Sequence, residues 1–378
     1  TAAGADLLVN INASPFWPGK RHARDRVIRA HVMALRRPLL YVNTAGAADN
    51  GKNIIPFDGE SLAYDAEGRL LAIGPQFAED LLVVDVPVGQ DPAAGTGPDL
   101  PPVDRDRETY DALVMALRDY MAKTGFSTAT VAVSGGIDSA LAVSIAVDAL
   151  GAGQVTAFNM PSRFNTEATR SIAARLAAAL GIPYTVIPIQ QLDEHIRDVF
   201  ETHAHPIARG FTRENLHARI RGLLMMAESN DSGALLISCG NETEIALGYA
   251  TLYGDMCGGI SLIGDLSKLD VYRLSRHVNS RHGREIIPEE TFALVPSAEL
   301  SADQFDPFDY YVVAPIVGEL VERRRSPAEL VRLFERRELD AGRFVPGPDG
   351  RTVFAGLWDG TIRMSSTTRT STKTWKHV

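Results

Sequence analysis

Cysteine is nearly missing from this chain, with only Cys239 and Cys257 among 378 residues. Two cysteines cannot build a disulfide framework, and so low a number suits a reducing compartment, expected to be the cytoplasm. No apolar run is long enough to span a bilayer and no stretch reads as a signal peptide, so no membrane partner is expected. Positive charge is in deficit, with 38 Lys and Arg against 47 Asp and Glu and a formal net charge of −9. A general nucleic-acid binder carries the opposite footprint, so no nucleic-acid partner is expected. An initiator Met and an internal repeat are absent as well. The chain runs from Thr1 straight into an apolar strand and reads as a piece of something longer.

The length allows two or three domains, and the 45% of hydrophobic residues can furnish their cores. Residues 5–14 (ADLLVNINAS) and 39–46 (LLYVNTAG) read as short buried strands, separated by a helix over 19–36. Residues 54–88 alternate short strands with turns and end in the apolar DLLVVDV. A Pro-, Gly- and Asp-rich stretch follows and is the best linker, placing domains at 1–88 and 108–378 around a linker at 89–107. Then the rhythm changes. Tyr110, Leu113, Leu117 and Met121 share a helix face that Gly125 terminates. Strands are expected at 128–133, 154–160, 184–189 and 234–238. Helices are expected at 138–150, from near Asn165 to Gly181, after residue 189, and at 212–230. Such alternation means a parallel sheet with helices on both faces. Ser326-Pro327-Ala328-Glu329 reads as a capping box opening a helix that ends near Leu339.

One stretch interrupts the core in an unusual way. VAVSGGIDSALAVSI, residues 131–145, is apolar except for Ser-Gly-Gly-Ile-Asp-Ser in its middle. A glycine pair at the end of a parallel strand lets the backbone turn tightly and approach a ligand. The helix behind it offers free N–H groups and the positive end of its dipole, an anion site to which Ser134 and Ser139 add hydroxyls. A Walker A loop is excluded because its Gly-Lys-Ser/Thr ending is missing. Asp138 would repel a phosphate unless a divalent cation lay between them, and magnesium favours one or two carboxylates with phosphate oxygens. The stretch therefore reads as a cradle for ATP with Mg2+.

The SGGxDS segment resembles the signature of the PP-loop ATP pyrophosphatase family, which cleaves ATP between its α and β phosphates to activate an oxygen as an adenylate. Further motifs narrow the resemblance. ENLHARIRGLLMMAESN (214–230), CGNETE (239–244), ATLYGD (250–255) and PSAEL (296–300) follow one another in the order found in the synthetase domain of NAD synthetases. The similarity runs over roughly residues 108–310. It implies an α/β fold with a doubly wound parallel sheet of the adenine nucleotide alpha hydrolase kind, preceded by a partial α/β nitrilase-like sandwich.

Position by position, the resemblance assigns Ala132, Val133, Ser134, Gly135, Gly136, Ile137, Asp138 and Ser139 to the ATP phosphates, with Cys239, Lys268 and Ser297 also at the ATP site. Asp138 and Glu244 would hold magnesium. Asn215, Arg219, Glu244, Tyr249, Leu252 and Asp255 would line the site for deamido-NAD, with Asp138, Lys268 and Asp255 as the residues that carry catalysis. The 212–230 helix would pack across a two-fold axis, giving a homodimer or a larger assembly. Three positions depart from the family pattern: Cys239 stands for the usual Thr, Glu242 for a usual Lys, and His217 for a usual Gln. The last reads as neutral, and a thiol nucleophile at Cys239 is disfavoured because no His lies near it in sequence.

The resemblance implies ATP-dependent amidation of deamido-NAD to NAD through an adenylate. Residues 1–88 resemble the C-terminal half of a nitrilase-like glutaminase domain, which would make the parent protein glutamine-dependent. Ser14 and Lys20 fall where that family binds the amino-acid end of glutamine, yet no Cys precedes Cys239, so the chain as it stands would draw on free ammonia. The competing readings are another PP-loop amidating ligase, forming GMP or NMN, and a catalytically idle assembly subunit. The tail from Trp358 to Val378 matches no motif.

Overall fold

A computed structural model describes residues 4–51, 53–88, 97–297, 306–336 and 338. Its contacts divide the chain into two compact units that meet in sequence at Phe126 and Ser127.

The first unit contains β1 (Leu8–Asn12), α1 (Lys20–Leu35), β2 (Leu39–Asn43), β3 (Ala45–Asp49), β4 (Ile54–Asp58), β5 (Leu62–Tyr64), β6 (Leu70–Ile73) and α2 (Arg105–Thr124). A mixed sheet runs β1-β2-β5-β6, and β3 and β4 form a separate antiparallel ribbon. Ile28 and Val32 of α1 pack onto Leu39, Tyr41, Leu62, Tyr64 and Leu70 of the sheet. Helix α2 starts at an Asp104 cap, whose side chain accepts the Arg107 N–H, and ends at Gly125 in the left-handed conformation. The sequence reading joins this helix to the following domain; by contacts it groups with the strands before it. Asp119 accepts the Ala47 N–H at 2.9 Å, and Lys123 donates to the Ala47 carbonyl. The expected terminal strand at DLLVVDV does not form. Leu81 and Val83 are 88% and 87% exposed, because alternation without a pairing strand gives the backbone nothing to bond.

The second unit is the alternating one. It contains β7 (Ala129–Ala132), α3 (Ile137–Leu150), β8 (Val155–Asn159), α4 (Glu167–Leu180), β9 (Tyr184–Val186), α5 (Gln190–His203), α6 (Gly210–Ser232) and β10 (Leu235–Ser238). After these come α7 (Glu242–Leu247), β11 (Ile260–Ser261), α8 (Lys268–His282), α9 (Glu289–Ala293), α10 (Tyr310–Val321) and α11 (Pro327–Glu335). Its five strands are all parallel, in the order β11-β10-β7-β8-β9. Strand order therefore reverses between β7 and β10, and the crevice outside the carboxyl ends of those two strands is where a doubly wound sheet binds its ligand. Helix α3 is buried on every side from Ser139 to Ala146, as a helix apolar all round must be, and packs against α4 and α8. This holds the loop preceding it against the core.

Boundaries shift where side chains intervene. Helix α4 opens at Thr166 rather than Asn165, because the Asn165 carboxamide accepts the Ser162 N–H at 2.7 Å and keeps that turn open. For α11, Ser326 accepts the Glu329 N–H at 3.2 Å, half of the expected box. The end placed near Leu339, the residues 298–300 of the PSAEL motif, part of the linker and the Trp358–Val378 tail lie outside the described residues. Both cysteines are free thiols, and no helix among the described residues is long and apolar enough to cross a membrane.

Candidate active site

Strand β7 ends at Ala132, and Val133 is still held in the sheet by its N–H to the Phe158 carbonyl at 2.7 Å. The chain then turns. Gly135 has φ +95°, and a Cβ there would lie 2.3 Å from the Thr169 carbonyl of α4, so only glycine lets the loop press against that helix. Gly136 caps α3 without any side-chain bond, leaving the anion-attracting end of the helix to its backbone. The Ser139 hydroxyl folds back to the Gly136 carbonyl at 3.0 Å and lies 3.4 Å from the Ser134 hydroxyl, which accepts the Gly136 N–H at 3.2 Å. The six residues SGGIDS thus form a tight cradle rich in donors.

Strand β10 delivers the second half. It runs into Asn241, whose side chain caps α7 in a reciprocal box with Glu244, and the same carboxamide donates to Asp138 Oδ1 at 2.8 Å. From α8 comes Lys268, the first residue after its Ser267 cap. Its Nζ lies 2.5 Å from Asp138 Oδ2 and 3.1 Å from Glu244 Oε1, and its side chain is only 4% exposed. Burial alone would lower the Lys268 pKa, but the Asp138 and Glu244 charges outweigh it and hold the group above the usual lysine range. Burial and the Asp138 charge raise Glu244 well above an ordinary carboxyl. One cation between two carboxylates leaves a surplus negative charge, and Glu244, at the longer distance, carries it.

That surplus bears on the expected magnesium. Among the described residues no group of three or more His, Cys, Asp or Glu side chains has metal-holding geometry. Two carboxylates with an uncompensated charge, beside an uncapped helix N-terminus, do fit an ion that takes one or two carboxylates and completes its shell with phosphate and water. The residues present are compatible with it.

The expected dinucleotide residues gather on α6 and the loop facing it. Asn215 Oδ1 accepts the Thr251 hydroxyl at 2.9 Å, and Arg219 Nε donates to the Leu252 carbonyl at 3.2 Å. A Cβ on Gly222 would meet the Tyr253 carbonyl at 2.7 Å, so the helix and the loop touch backbone to backbone. The Thr251 N–H donates to Asp255 at 2.6 Å. Asp255 stands on the exposed rim, but the protein crowding its inner side pushes its carboxyl up to about 6. Arg221, two residues on from Arg219, donates to the Met160 carbonyl at 3.0 Å and to the Asn165 carboxamide at 3.3 Å. Tyr249 hydrogen-bonds Asp306.

The surroundings of Cys239 disfavour a thiolate. Burial, together with the Asp138 and Glu244 charges, pushes its thiol up to about 12. Glu242, buried on the neighbouring turn, is pushed up to about 7 by burial and by Glu322, Asp270 and Asp265. Ser297 is the last residue described before the gap at 298–305. In the first unit, the Ser14 N–H donates to Asn43 at 2.9 Å and Lys20 donates to the Pro15 carbonyl, one residue from Ser14.

Sequence reasoning missed Asn241, Tyr310 and Asp306. The first was findable, since Asn-x-x-Glu ahead of an apolar residue is a capping signature. Nothing in the sequence pointed to the others.

Comparison with known proteins places this geometry. The family model for NAD synthase matches residues 109–341, and that for carbon–nitrogen hydrolases matches residues 1–90. A glutamine-dependent NAD(+) synthetase from Synechocystis sp. is 38% identical over 89% of this chain and 60% of its own length. One from Rhodobacter capsulatus is 37% identical over 94% of this chain and 68% of its own. The solved glutamine-dependent NAD+ synthetase of Acinetobacter baumannii, in complex with ADP, superimposes with a TM-score of 0.69 at 28% identity, over 98% of this chain and 64% of that one. The chain thus spans about 60% of the length of the first of these relatives. With a glycine cradle and a carboxylate–lysine cluster at the switch point of its parallel sheet, the chain belongs to the glutamine-dependent NAD synthetase family, its NAD synthase domain preceded by part of a carbon–nitrogen hydrolase domain.

Proposed function

We propose that this chain amidates deamido-NAD to NAD at the expense of ATP, by way of an adenylate. The observation that carries the reading is the meeting of Asp138, Glu244 and Lys268 beside the uncapped start of α3. The complex of the Acinetobacter relative with ADP supports adenine nucleotide binding by this chain. The nicotinate carboxylate of deamido-NAD attacks the α phosphorus, the bond to the bridging oxygen breaks, and pyrophosphate leaves. Ammonia then attacks the activated carbonyl carbon, loses a proton, and AMP departs.

A carboxylate is inert toward amines, so adenylation is the step that makes the amide accessible. The chain's share is positioning and charge neutralisation. Ser134, Gly135 and Gly136 receive the departing pyrophosphate with backbone and hydroxyl donors, and Lys268 brings a buried positive charge to the phosphates. Asn215, Arg219, Tyr249, Leu252 and Asp255 orient deamido-NAD from α6 and the facing loop. Asp138 and Glu244 would hold Mg2+, which when bound neutralises phosphate charge.

The amide nitrogen for these 378 residues is free ammonia, since no cysteine precedes Cys239; the relatives named for glutamine point to glutamine as the source wherever a complete carbon–nitrogen hydrolase domain accompanies them. Ser14 and Lys20 belong to that glutamine-handling region. The assembly proposed is a homodimer through α6, on whose surface Leu223 is 66% exposed.

The test supplies the purified chain with ATP, magnesium, deamido-NAD and ammonium. Equimolar NAD, AMP and pyrophosphate are expected, and Asp138→Asn should reduce them at least about a hundredfold by removing the carboxylate that sets Lys268 and would hold Mg2+. AMP formation only with nicotinate mononucleotide or xanthylate as acceptor would transfer the reading to an NMN- or GMP-forming ligase. No AMP with any acceptor would leave an idle assembly subunit.

A further inference from the structure

Behind Lys268 lies a group of side chains that neither the cradle nor the dinucleotide face accounts for. Tyr310 opens α10 directly after its Asp309 cap and is 4% exposed. The Lys268 ammonium lies over its ring, 4.8 Å from Nζ to the ring centroid. Its hydroxyl is 2.7 Å from Asp306 Oδ2 and 3.3 Å from Glu244 Oε1. Asp306 also receives a hydrogen bond from Tyr249. Phe308 fills the space between the two tyrosines edge to face, with centroids 5.3 Å from Tyr249 and 5.1 Å from Tyr310.

Each contact has a physical consequence. A phenol has one proton to donate, and the shorter contact commits it chiefly to Asp306. The ring face then supplies Lys268 with cation–π attraction in a desolvated setting. A lysine stem rotates about four bonds, so two carboxylates alone leave its ammonium free to follow either one; a fixed ring beneath it removes that freedom. Asp306 in turn is bound to two phenols at once, which makes its position a function of both. One of those phenols stands at the nucleotide cluster, and the other on the face where deamido-NAD is oriented.

We propose that Tyr310 and Asp306 are positioning residues, a bracket that sets Lys268 and Glu244 over the glycine cradle and ties their placement to Tyr249 at the acceptor subsite. The naming of the two subsites rests on the proposed function. Lys268 and Glu244 touch the reacting groups; the bracket acts through them. Occupancy of one subsite is thereby felt at the other through a single shared carboxylate.

The experiment is a double-mutant cycle on the full chain with Tyr310→Phe, Tyr249→Phe and the pair, each characterised by kcat, by KM for ATP and for deamido-NAD, by ATP affinity in calorimetry, and by melting temperature. Tyr310→Phe keeps the ring and its packing and removes only the hydroxyl. It is expected to lower kcat and weaken ATP binding roughly tenfold, the range for a lost hydrogen bond to a charged group. Tyr249→Phe should act mainly on KM for deamido-NAD. The double variant should fall short of the product of the two single effects by about threefold or more, because both deletions strand the same Asp306. Asp306→Asn serves as the second variant and should raise both KM values together with little change in melting temperature. Multiplicative single effects, or wild-type kcat and ATP affinity in Tyr310→Phe, would overturn the bracket. If the unaltered chain makes no NAD, the proposed function falls separately, and the bracket stands or falls on whether Tyr310→Phe and Asp306→Asn weaken ATP in the calorimeter.

Discussion

Gly135 shows how narrow the tolerance is at the level of one residue. Its φ of +95° lies where L side chains are strained, and a Cβ would penetrate the Thr169 carbonyl at 2.3 Å. Neither partner is a flexible side-chain end, so backbone must move. Gly135→Ala is expected to cost about 1–3 kcal/mol of stability and at least tenfold in ATP affinity, read by thermal melting and by nucleotide titration. An unchanged ATP affinity would mean that the turn does not hold phosphate. The same scale explains why the departures from the family pattern were hard to weigh in sequence. Cys239 and Glu242 look equivalent on paper as unusual residues, yet one is a half-buried thiol whose surroundings disfavour the thiolate and the other a carboxyl pressed among three further acids.

Elements meet through such residues, and α5 and α6 meet through His217. Sequence reasoning takes it as a neutral replacement for Gln; the structure makes it the contact between two helices. The imidazole is 2% exposed, its Nε2 lies 3.2 Å from Asp193 Oδ1, and Phe164 lies against the ring with centroids 5.6 Å apart. Arg197 of α5 grips the other Asp193 oxygen at 3.0 Å. Burial lowers the His217 pKa below 6.5, with Arg221 and Arg163 adding to the effect and Asp193 opposing it. At this group the unfolded chain therefore binds more proton than the folded one as pH falls below about 6.5, so the stability His217 contributes is full above that value and is lost on acidification. Glu242 and Asp255, whose raised carboxyls take up protons in the fold over the same range, act in the opposite direction in both proteins, so the check is the difference. From pH 7 to pH 5 the melting temperature of His217→Gln should rise relative to that of the unaltered chain, with Gln taking over the contact to Asp193. A slope identical in the variant would remove His217 from the account. Helix α6 also carries Asn215 and Arg219, so acidification that loosens its seat is expected to raise KM for deamido-NAD as well.

At the scale of the whole molecule the two units are built on different chemistry. The second relies on a buried apolar helix under a parallel sheet. The first invests in buried charge: Arg24 pairs with Asp58 at 2.6 Å and Glu60 at 3.2 Å, and Arg21 pairs with Glu60 at 2.5 Å, all with side chains 4% exposed or less. Breaking such a network by removing one partner leaves uncompensated charge. Arg24→Met should cost the first unit about 3–5 kcal/mol, seen in scanning calorimetry as one component of the unfolding trace moving down, while ATP binding by the second unit keeps its wild-type constant. Loss of ATP affinity in that variant would show that the cradle depends on the first unit.

Much of this molecule was legible in one dimension. The glycine interruption at 134–136 marks the switch point of the sheet because a parallel strand can end in a ligand loop only where backbone may turn freely. The alternation from residue 128 to 238 predicts the parallel sheet because helical and extended periods leave different apolar patterns. The motifs named Asp138, Glu244 and Lys268. What only the tertiary structure decided is where charge ends up and what holds it. Lys268 lies 130 residues from Asp138, and no local pattern says that one ammonium bridges two carboxylates from different strand ends. Nor could the sequence show that Tyr310 supports that ammonium, or that His217 is buried against Asp193. Periodicity records which face of an element is dry; ion pairs and buried polar contacts depend on distances between elements, and those exist only once the chain is folded.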